Sequence, residues 1–590
     1  MTACATTPPA TETTEAPPPV AAAETHDLFD AALLASGYAE GAELASARRR
    51  LETLVTPVVQ RLADVQDDRT RAGALLITLH EKGGLFGTYD ARATTLVDII
   101  DRRHFNCVSA SVLYNLIADR LQIDAAAQLL PTHARTLLSM PSEKGLERVV
   151  VETTSPAGFS PSPADEAKIL ASVAGPRAEG ARTLVSETGA VVSTRVLIGT
   201  IYVNRASIAQ EGGQYELAES LFARGEAFAS SEEMRRVLRD QRAALLSQLA
   251  GDDVTSNDPE RLERAYRTLL AAVKLEPTHP NVREAVFHNL RAAAERLIFL
   301  EAQQGAEERL IALATEAASV GMRSADRSGL RAFALSEVAR LRVEAQDYEG
   351  AIDALDLALK EQLGKADAGL EETLKTNRIS ALRLAAFRSA RAGDFRVGLS
   401  WVDRIEQHLG ARPEVSEDRL RVIHLVGNKR LDDRDYHGAV EVYREGVRRF
   451  PRDDASRTNL VASLERLAMP MIETGRCAEV REVLEEIRTI DAATKFVRLA
   501  ESRCLIERAQ KRLEAKDYAE AVDLIRAARR ANPNEPAVVQ NLAVALVRWA
   551  EDLSSRGKCR EARGLVKEIA ALRVASVGRA QTKRALGSCG

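Results

Sequence analysis

Cys107, His133 and Glu152 are the residues on which chemistry could turn. A thiol becomes a strong nucleophile when an imidazole takes its proton, and a carboxylate can hold that imidazole in the productive tautomer. The histidine follows the cysteine by 26 residues, and the glutamate follows by 19 more. Such a trio could carry out nucleophilic catalysis through a covalent intermediate on sulfur. As a metal site it is poor, because structural zinc wants four ligands and no C-x-x-C or H-x-x-x-H pair accompanies it. His104 and His80 read as structural histidines. No phosphate-binding or dinucleotide glycine motif is present, so no cofactor and no metal is expected.

The flanking pattern says how these side chains would be held. From His26 to about Arg103 the chain reads as helical. The run HFNCVSASVLYNLIADRLQID then reads as an amphipathic helix, with Val108, Val112, Asn115, Leu116, Asp119 and Leu121 carrying its period. Asn106 is a natural N-cap, which sets Cys107 in the first turn. Unpaired N–H groups and the helix dipole there favour a thiolate. Two β-rich stretches follow, AAAQLLPTHARTLLS with His133 and ERVVVETT with Glu152.

The stretch from Phe86 to Phe159 includes Tyr89, Arg102, Asn106-Cys107, Pro131-Thr132-His133 and Glu152-Thr153-Thr154. In these residues it resembles a bacterial transglutaminase-like domain. The resemblance implies a small papain-like α+β domain over residues 26–163, with Cys107 as nucleophile, His133 as base and Glu152 as orienting acid. The family usually carries Asp in the third position, so Glu152 sets its carboxylate one methylene further out. The Cys107 backbone N–H is one oxyanion donor, and the sequence offers no evident side-chain donor. The implied activity is acyl transfer or amide hydrolysis on a protein or peptide. Some branches of the superfamily lack the nucleophile, so the alternative is a non-catalytic scaffold in which this fold serves only for docking.

From about Arg195 a different pattern recurs: a Gly or polar pair, an aromatic, then a small residue three later. It appears at Gly213-Gln214-Tyr215 with Ala218, Gln346-Asp347-Tyr348 with Ala351, and Gly393-Asp394-Phe395 with Gly398. It returns at Arg434-Asp435-Tyr436 with Ala439 and Lys516-Asp517-Tyr518 with Ala521, while Cys477 and Cys559 take the aromatic slot in two further copies. Weaker copies centre on Leu262 and Glu307. Phe222, Leu355, Tyr443 and Ile525 stand four residues after the small one, and Pro277, Pro451 and Pro533 close repeats. The pattern resembles the tetratricopeptide repeat, written on about nine helical hairpins. Positions 395, 436, 477, 518 and 559 are 41 residues apart. The usual period is 34; seven extra residues are almost two helical turns, so the helices lengthen without changing their buried face. The whole chain is thus expected to be mostly α, with the small α+β domain followed by an α-solenoid over 195–590 and a linker at 164–194.

Solenoids of this kind bind along a concave face. Asn204, Asn289, Asn377, Asn459 and Asn541 fall on the first helix of alternate hairpins, where tetratricopeptide repeats often carry an Asn that grips a peptide. A ladder of amides could hold an extended protein or peptide segment, since each amide both donates and accepts. The competing reading is that they cap or bridge neighbouring helices.

Cysteine placement bears on compartment. Cys477 and Cys504 should face each other across an antiparallel pair turning near Asp491, and Cys559 and Cys589 repeat the arrangement. Disulfides Cys477–Cys504 and Cys559–Cys589 are expected, with buried free thiols as the alternative. Disulfides would mean an oxidising compartment. Residues 1–25, rich in Pro, Thr and Ala, read as a disordered tether. Thr2-Ala3-Cys4 resembles the lipobox of bacterial lipoproteins, which implies lipidation at Cys4, an export signal upstream of Met1 and a place in the cell envelope. The alternative is a cytoplasmic protein with a disordered tail.

Composition excludes other classes. Lys plus Arg number 81 against 85 Asp plus Glu, a net charge of −4, and no basic stripe suggests nucleic-acid binding. No stretch is apolar enough to span a membrane, so membrane contact would come only through a lipid anchor.

Overall fold

A computed structural model describes residues 26–130, 133–142, 145–174, 189–362, 368–492, 494–574 and 577–590. The chain divides into two units, Met1–Leu341 with Lys360–Ala368, and Arg342–Leu359 with Gly369–Gly590.

The first unit opens with α1 (Leu28–Ala35), α2 (Ala42–Leu62) and α3 (Asp68–His80). A short strand β1 (Thr88–Tyr89), helix α4 (Leu96–Arg102) and a second short strand β2 (His104–Phe105) follow. The two strands pair in parallel, Thr88 with His104 and Tyr89 with Phe105. Then come α5 (Cys107–Arg120), β3 (Ala125–Leu130), β4 (His133–Ser142), β5 (Gly145–Val151), α6 (Pro163–Ala174) and β6 (Ala190–Ser193). The larger sheet has the order β5-β4-β3-β6, with every neighbouring pair antiparallel.

Helix α5 departs from the amphipathic expectation. Every residue from Cys107 to Ala118 is buried. The sheet covers one side, through β3 and β4, while α1, α2 and α3 pack on others. A helix enclosed on all sides needs no polar face, and its few polar side chains are bonded inside the core instead. Thr136 Oγ1 donates to Asn115 Oδ1 at 2.6 Å, and Asn115 Nδ2 donates to Thr194 Oγ1 at 3.1 Å.

The stretch 164–194 was expected to be a linker, and its described parts are built into the fold. Strand β6 pairs with β3, Val192 against Ala127, and Glu166 of α6 forms a buried ion pair with Arg135 of β4. Its Ala, Gly and Ser content suggested a spacer, but Val192 supplies the inward apolar residue that a short edge strand needs. Nor does packing break at residue 195. Helix α7 (Thr194–Glu211) lies against α5 and α1, and one apolar core runs from Phe29 through Leu197, Ile198 and Ile201 to Phe222 and Leu245.

Helix α7 is also the first helix of a hairpin with α8 (Tyr215–Glu226). Two more pairs in the first unit are α9 (Glu232–Val254) with α10 (Pro259–Lys274) and α11 (Pro280–Gln303) with α12 (Glu307–Ser319). Helices α13 (Ser324–Glu344) and α14 (Tyr348–Gln362) follow. In the second unit lie α15 (Ala368–Ala392) with α16 (Phe395–Leu409), α17 (Pro413–Asp432) with α18 (Tyr436–Arg449), and α19 (Asp454–Glu473) with α20 (Cys477–Ile490). It closes with α21 (Lys495–Glu514) and α22 (Tyr518–Ala531), α23 (Pro536–Ser555) and α24 (Cys559–Leu572), and a short α25 (Arg579–Leu586). First helices also touch the next first helix, as α19 does α21 and α21 does α23, which is how stacked hairpins make a solenoid.

The repeated motif has a clear job. Tyr215, Phe395, Tyr436, Cys477, Tyr518 and Cys559 are each the first residue of the second helix of a pair, and Tyr348 is the first residue of α14. Two residues earlier the backbone turns through positive φ, at glycine in Gly213, Gly393, Gly475 and Gly557 and at a side-chain-bearing residue in Gln346, Arg434 and Lys516. The small residue after the aromatic slot is buried, as at Ala218, Ala351, Ala439, Ala521 and Ala562. Tyr443 and Ile525 sit buried one turn further on. Among the described residues no helix is long and apolar enough to cross a membrane.

Candidate functional site

Helix α5 is started by its cap. Asn106 Oδ1 accepts from the N–H groups of Val108 and Ser109, at 2.9 and 3.0 Å, and Ser109 Oγ accepts the Asn106 N–H at 3.0 Å. Asn106 Nδ2 and Ser109 Oγ donate onward to the carbonyls of Ala91 and Ala93, which ties the cap to the chain before α4. Cys107 is therefore the first helical residue, its own N–H takes no part in the cap, and it is a free, buried thiol at 9% exposure.

His133 opens β4, where the Cys107 side chain acts on its imidazole. Its Nε2 lies 2.8 Å from Glu152 Oε2, so the ring nitrogen left for the thiol is Nδ1. Glu152 follows β5 and is fully buried. Its other oxygen, Oε1, accepts the Thr154 hydroxyl at 2.7 Å, so both carboxylate oxygens are satisfied. The three residues singled out by sequence are thus brought together, with His133 and Glu152 joined by a hydrogen bond and the Cys107 side chain acting on the same imidazole.

Burial alone would push the His133 imidazole down. The Glu152 carboxylate, bonded to the ring, and the neighbouring Cys107 side chain more than reverse that and lift it to about 10. At neutral pH the ring is an imidazolium, protonated on both nitrogens. Tyr89 is half-buried on β1 beside Phe105, with ring centroids 5.9 Å apart. Burial raises its phenol, and the negative charges of Cys107 and Glu152 raise it further, which places Tyr89 within their field and keeps it protonated.

Three supporting features were not legible as functional. Gly158 folds the segment after β5 back onto Glu152, whose N–H donates to Gly158 O at 2.8 Å. A Cβ on Gly158 would stand 1.9 Å from the Glu152 carbonyl oxygen, so only glycine allows that approach. His80, expected to be structural, donates from Nε2 to Thr153 O at 2.9 Å and stacks edge-on against Phe86 and Phe105. Burial pushes it below its ordinary value, so it is neutral. Thr154 stands in the Glu152-Thr153-Thr154 motif, and a hydroxyl two residues beyond the acid is the signal the sequence offers for its bond to Glu152. Pro131 and Thr132, quoted in the same motif, lie outside the described residues, as do Cys4 and the rest of 1–25.

The asparagines divide. Asn204 Nδ2 donates to Thr94 Oγ1 at 2.9 Å, Asn289 to Ser247 Oγ at 3.0 Å and Asn459 to Tyr443 Oη at 3.1 Å, so these three bridge neighbouring elements. Asn377 and Asn541 are exposed. Both disulfides are present, Cys477–Cys504 with Cα atoms 5.6 Å apart and Cys559–Cys589 at 5.1 Å. Among the described residues no group of three or more His, Cys, Asp or Glu could hold a metal ion.

No family model matches the chain, and no curated protein matches it. Solved structures similar to it include a tetratricopeptide repeat protein from Parabacteroides merdae ATCC 43184, at 16% identity, covering 52% of this chain and 99% of that one with a TM-score of 0.19. The P58(IPK) TPR domain is 17% identical over 63% of this chain and 89% of its own, with a TM-score of 0.16. Naa15/Naa10 bound to HypK-THB is 13% identical over 66% and 60%, with a TM-score of 0.18. At these scores the likeness carries no argument of its own, and the repeat architecture rests on the helix pairs and their 41-residue period.

Proposed function

We propose that the first unit carries a transglutaminase-like cysteine acyltransferase or amidase, and that the repeats bind its protein substrate or a partner. The observation that carries the reading is the His133–Glu152–Thr154 hydrogen-bond chain beside Cys107, with the sulfur at a helix start and the imidazole charged. In the first step the Cys107 sulfur attacks a carboxamide carbonyl carbon and the π electrons move to oxygen. The imidazolium of His133 gives its Nδ1 proton to the leaving nitrogen, ammonia or an amine departs, and a thioester remains. Water or a primary amine, deprotonated by the neutral imidazole, then attacks the thioester and releases the acid or the new amide, restoring the thiolate and imidazolium. The oxyanion is met by the Cys107 N–H and, in this reading, by the Tyr89 hydroxyl.

Exposure favours a second reading. Cys107 and His133 are only 9% and 8% exposed, which suits an inactive fold kept for docking. One experiment separates the two. Brief treatment of the full chain with iodoacetamide at neutral pH, followed by peptide mapping, should label Cys107, and His133→Ala should slow labelling. A dansylated amine should become attached to a glutamine-containing peptide only with Cys107 intact. Unlabelled Cys107 and no amine incorporation would leave the scaffold.

Export and lipid anchoring at Cys4 belong to the same proposal, supported by the two disulfides, which persist in oxidising compartments. Loss of metabolic palmitate labelling in Cys4→Ser would support the anchor, and a cytoplasmic, thiol-reduced protein would overturn it.

A further inference from the structure

Most arginines near the start of the second unit are matched with acids. Arg383 meets Asp418 at 2.7 Å, Arg404 meets Glu349 at 3.0 Å, and Arg419 meets Asp403 and Glu406, each at 2.7 Å. Arg378 pairs with Asp356. Among the described residues Arg388, Arg391 and Arg421 pair with no carboxylate, and all three are exposed.

These three converge on an apolar surface. Leu384 is 47% exposed on α15. With Phe387, Arg388, Arg391, Ala392 and Tyr348 of α14 it lines a groove of about 360 Å³. The Arg421 guanidinium lies 4.6 Å above the Phe387 ring. At roughly 100° per residue, Asn377, Leu384, Arg388 and Arg391 fall within about 60° of arc on α15, one continuous stripe. The negative C-terminal end of α15 accounts for an arginine near Ala392 but not for Arg421, which comes from α17.

We propose that this groove binds an acidic peptide segment of a protein partner, with one large apolar side chain between carboxylates. The inference rests on the reading of the repeats as protein-binding and adds the chemistry of the ligand. Guanidinium groups take carboxylates in two-pronged contacts, and their lack of internal counter-charge leaves them available for that. The Leu384, Phe387 and Tyr348 wall takes the apolar side chain, and Asn377, two turns away on the same stripe, is free to bond the peptide backbone.

The test uses the full chain with its disulfides intact and three short fluorescent peptides: glutamates flanking Leu and Phe, the glutamine isostere, and the lysine counterpart. Anisotropy should show binding of the glutamate peptide alone, weakening as salt rises. R388S/R391S should weaken it by about tenfold or more, with the melting temperature unchanged, whereas R529S/R530S on α22 should not. Equal binding by R388S/R391S, equal binding of the glutamine or lysine peptide, or tighter binding of an oligonucleotide or phosphatidylglycerol vesicle through the same arginines would overturn the proposal. So would the absence of any peptide binding. If hydrogen exchange shows a bound glutamate peptide protecting helices other than α14, α15 and α17, the groove falls while the protein-binding reading stands.

Discussion

The Nε2 of His133 faces Glu152 Oε2 at 2.8 Å, inside a site where the carboxylate is fully buried. That contact overcomes burial and keeps the imidazole charged. Because the folded value, about 10, lies above the unfolded one near 6.5, the stability it lends is whole below about pH 6.5. It is lost as pH climbs through about 10. Glu152→Gln removes the charge and leaves burial to dominate, so His133 should be neutral at pH 7. Carbon-13 histidine NMR across alkaline pH checks this. Wild-type His133 titrating below pH 7 would refute the account.

In the proposed reaction the Tyr89 hydroxyl is the second oxyanion donor. Tyr89→Phe should lower kcat by about 10²–10³ with KM little changed, as removal of one oxyanion donor does. Iodoacetamide labelling of Cys107, which forms no oxyanion, should stay as in the wild type. A Tyr89→Phe enzyme with normal turnover would strip the phenol of this role.

Gly158 holds Glu152 through a backbone hydrogen bond and an approach too close for any side chain. Gly158→Ala forces a methyl against the Glu152 carbonyl and should cost about 2–3 kcal/mol in urea unfolding. It should also displace the carboxylate, so the His133 resonance should shift as in Glu152→Gln. An unshifted resonance would show that the segment relaxes elsewhere.

The disulfides close loops of 27 and 30 residues. Chain-entropy arithmetic gives each about 3–4 kcal/mol. Reduction, or Cys477→Ser with Cys504→Ser, should lower the melting temperature of the second unit. It should leave the His133 titration untouched, because that site lies in the first unit. A melting curve indifferent to reductant would count against both bridges contributing.

Sequence periodicity located the repeats well, because Gly393, Tyr436 and Ala521 each answer a steric demand that recurs every 41 residues. Cys107, His133 and Glu152 could be singled out because a thiol at a helix start, with an imidazole and a carboxylate at the ends of following strands, is a recognisable local pattern. What escaped was tertiary. The burial of α5 on every side depends on elements distant in sequence, so its polar residues looked like an outer face. Strand β6 is four residues long, too short for periodicity to separate from a spacer. The bond from Asn204 to Thr94 spans 110 residues and had no local signature.

Helix α7 serves two masters: it backs the sheet beneath Cys107 and begins the first hairpin. A truncation before it would expose Leu197, Ile198 and Ile201, all now sealed from water. The N-terminal α+β part and the repeat array are therefore not interchangeable cassettes. A protein engineer who swaps in foreign repeats must keep this helix and its hairpin mate, and lineages that reshuffle the array should do so only downstream of it.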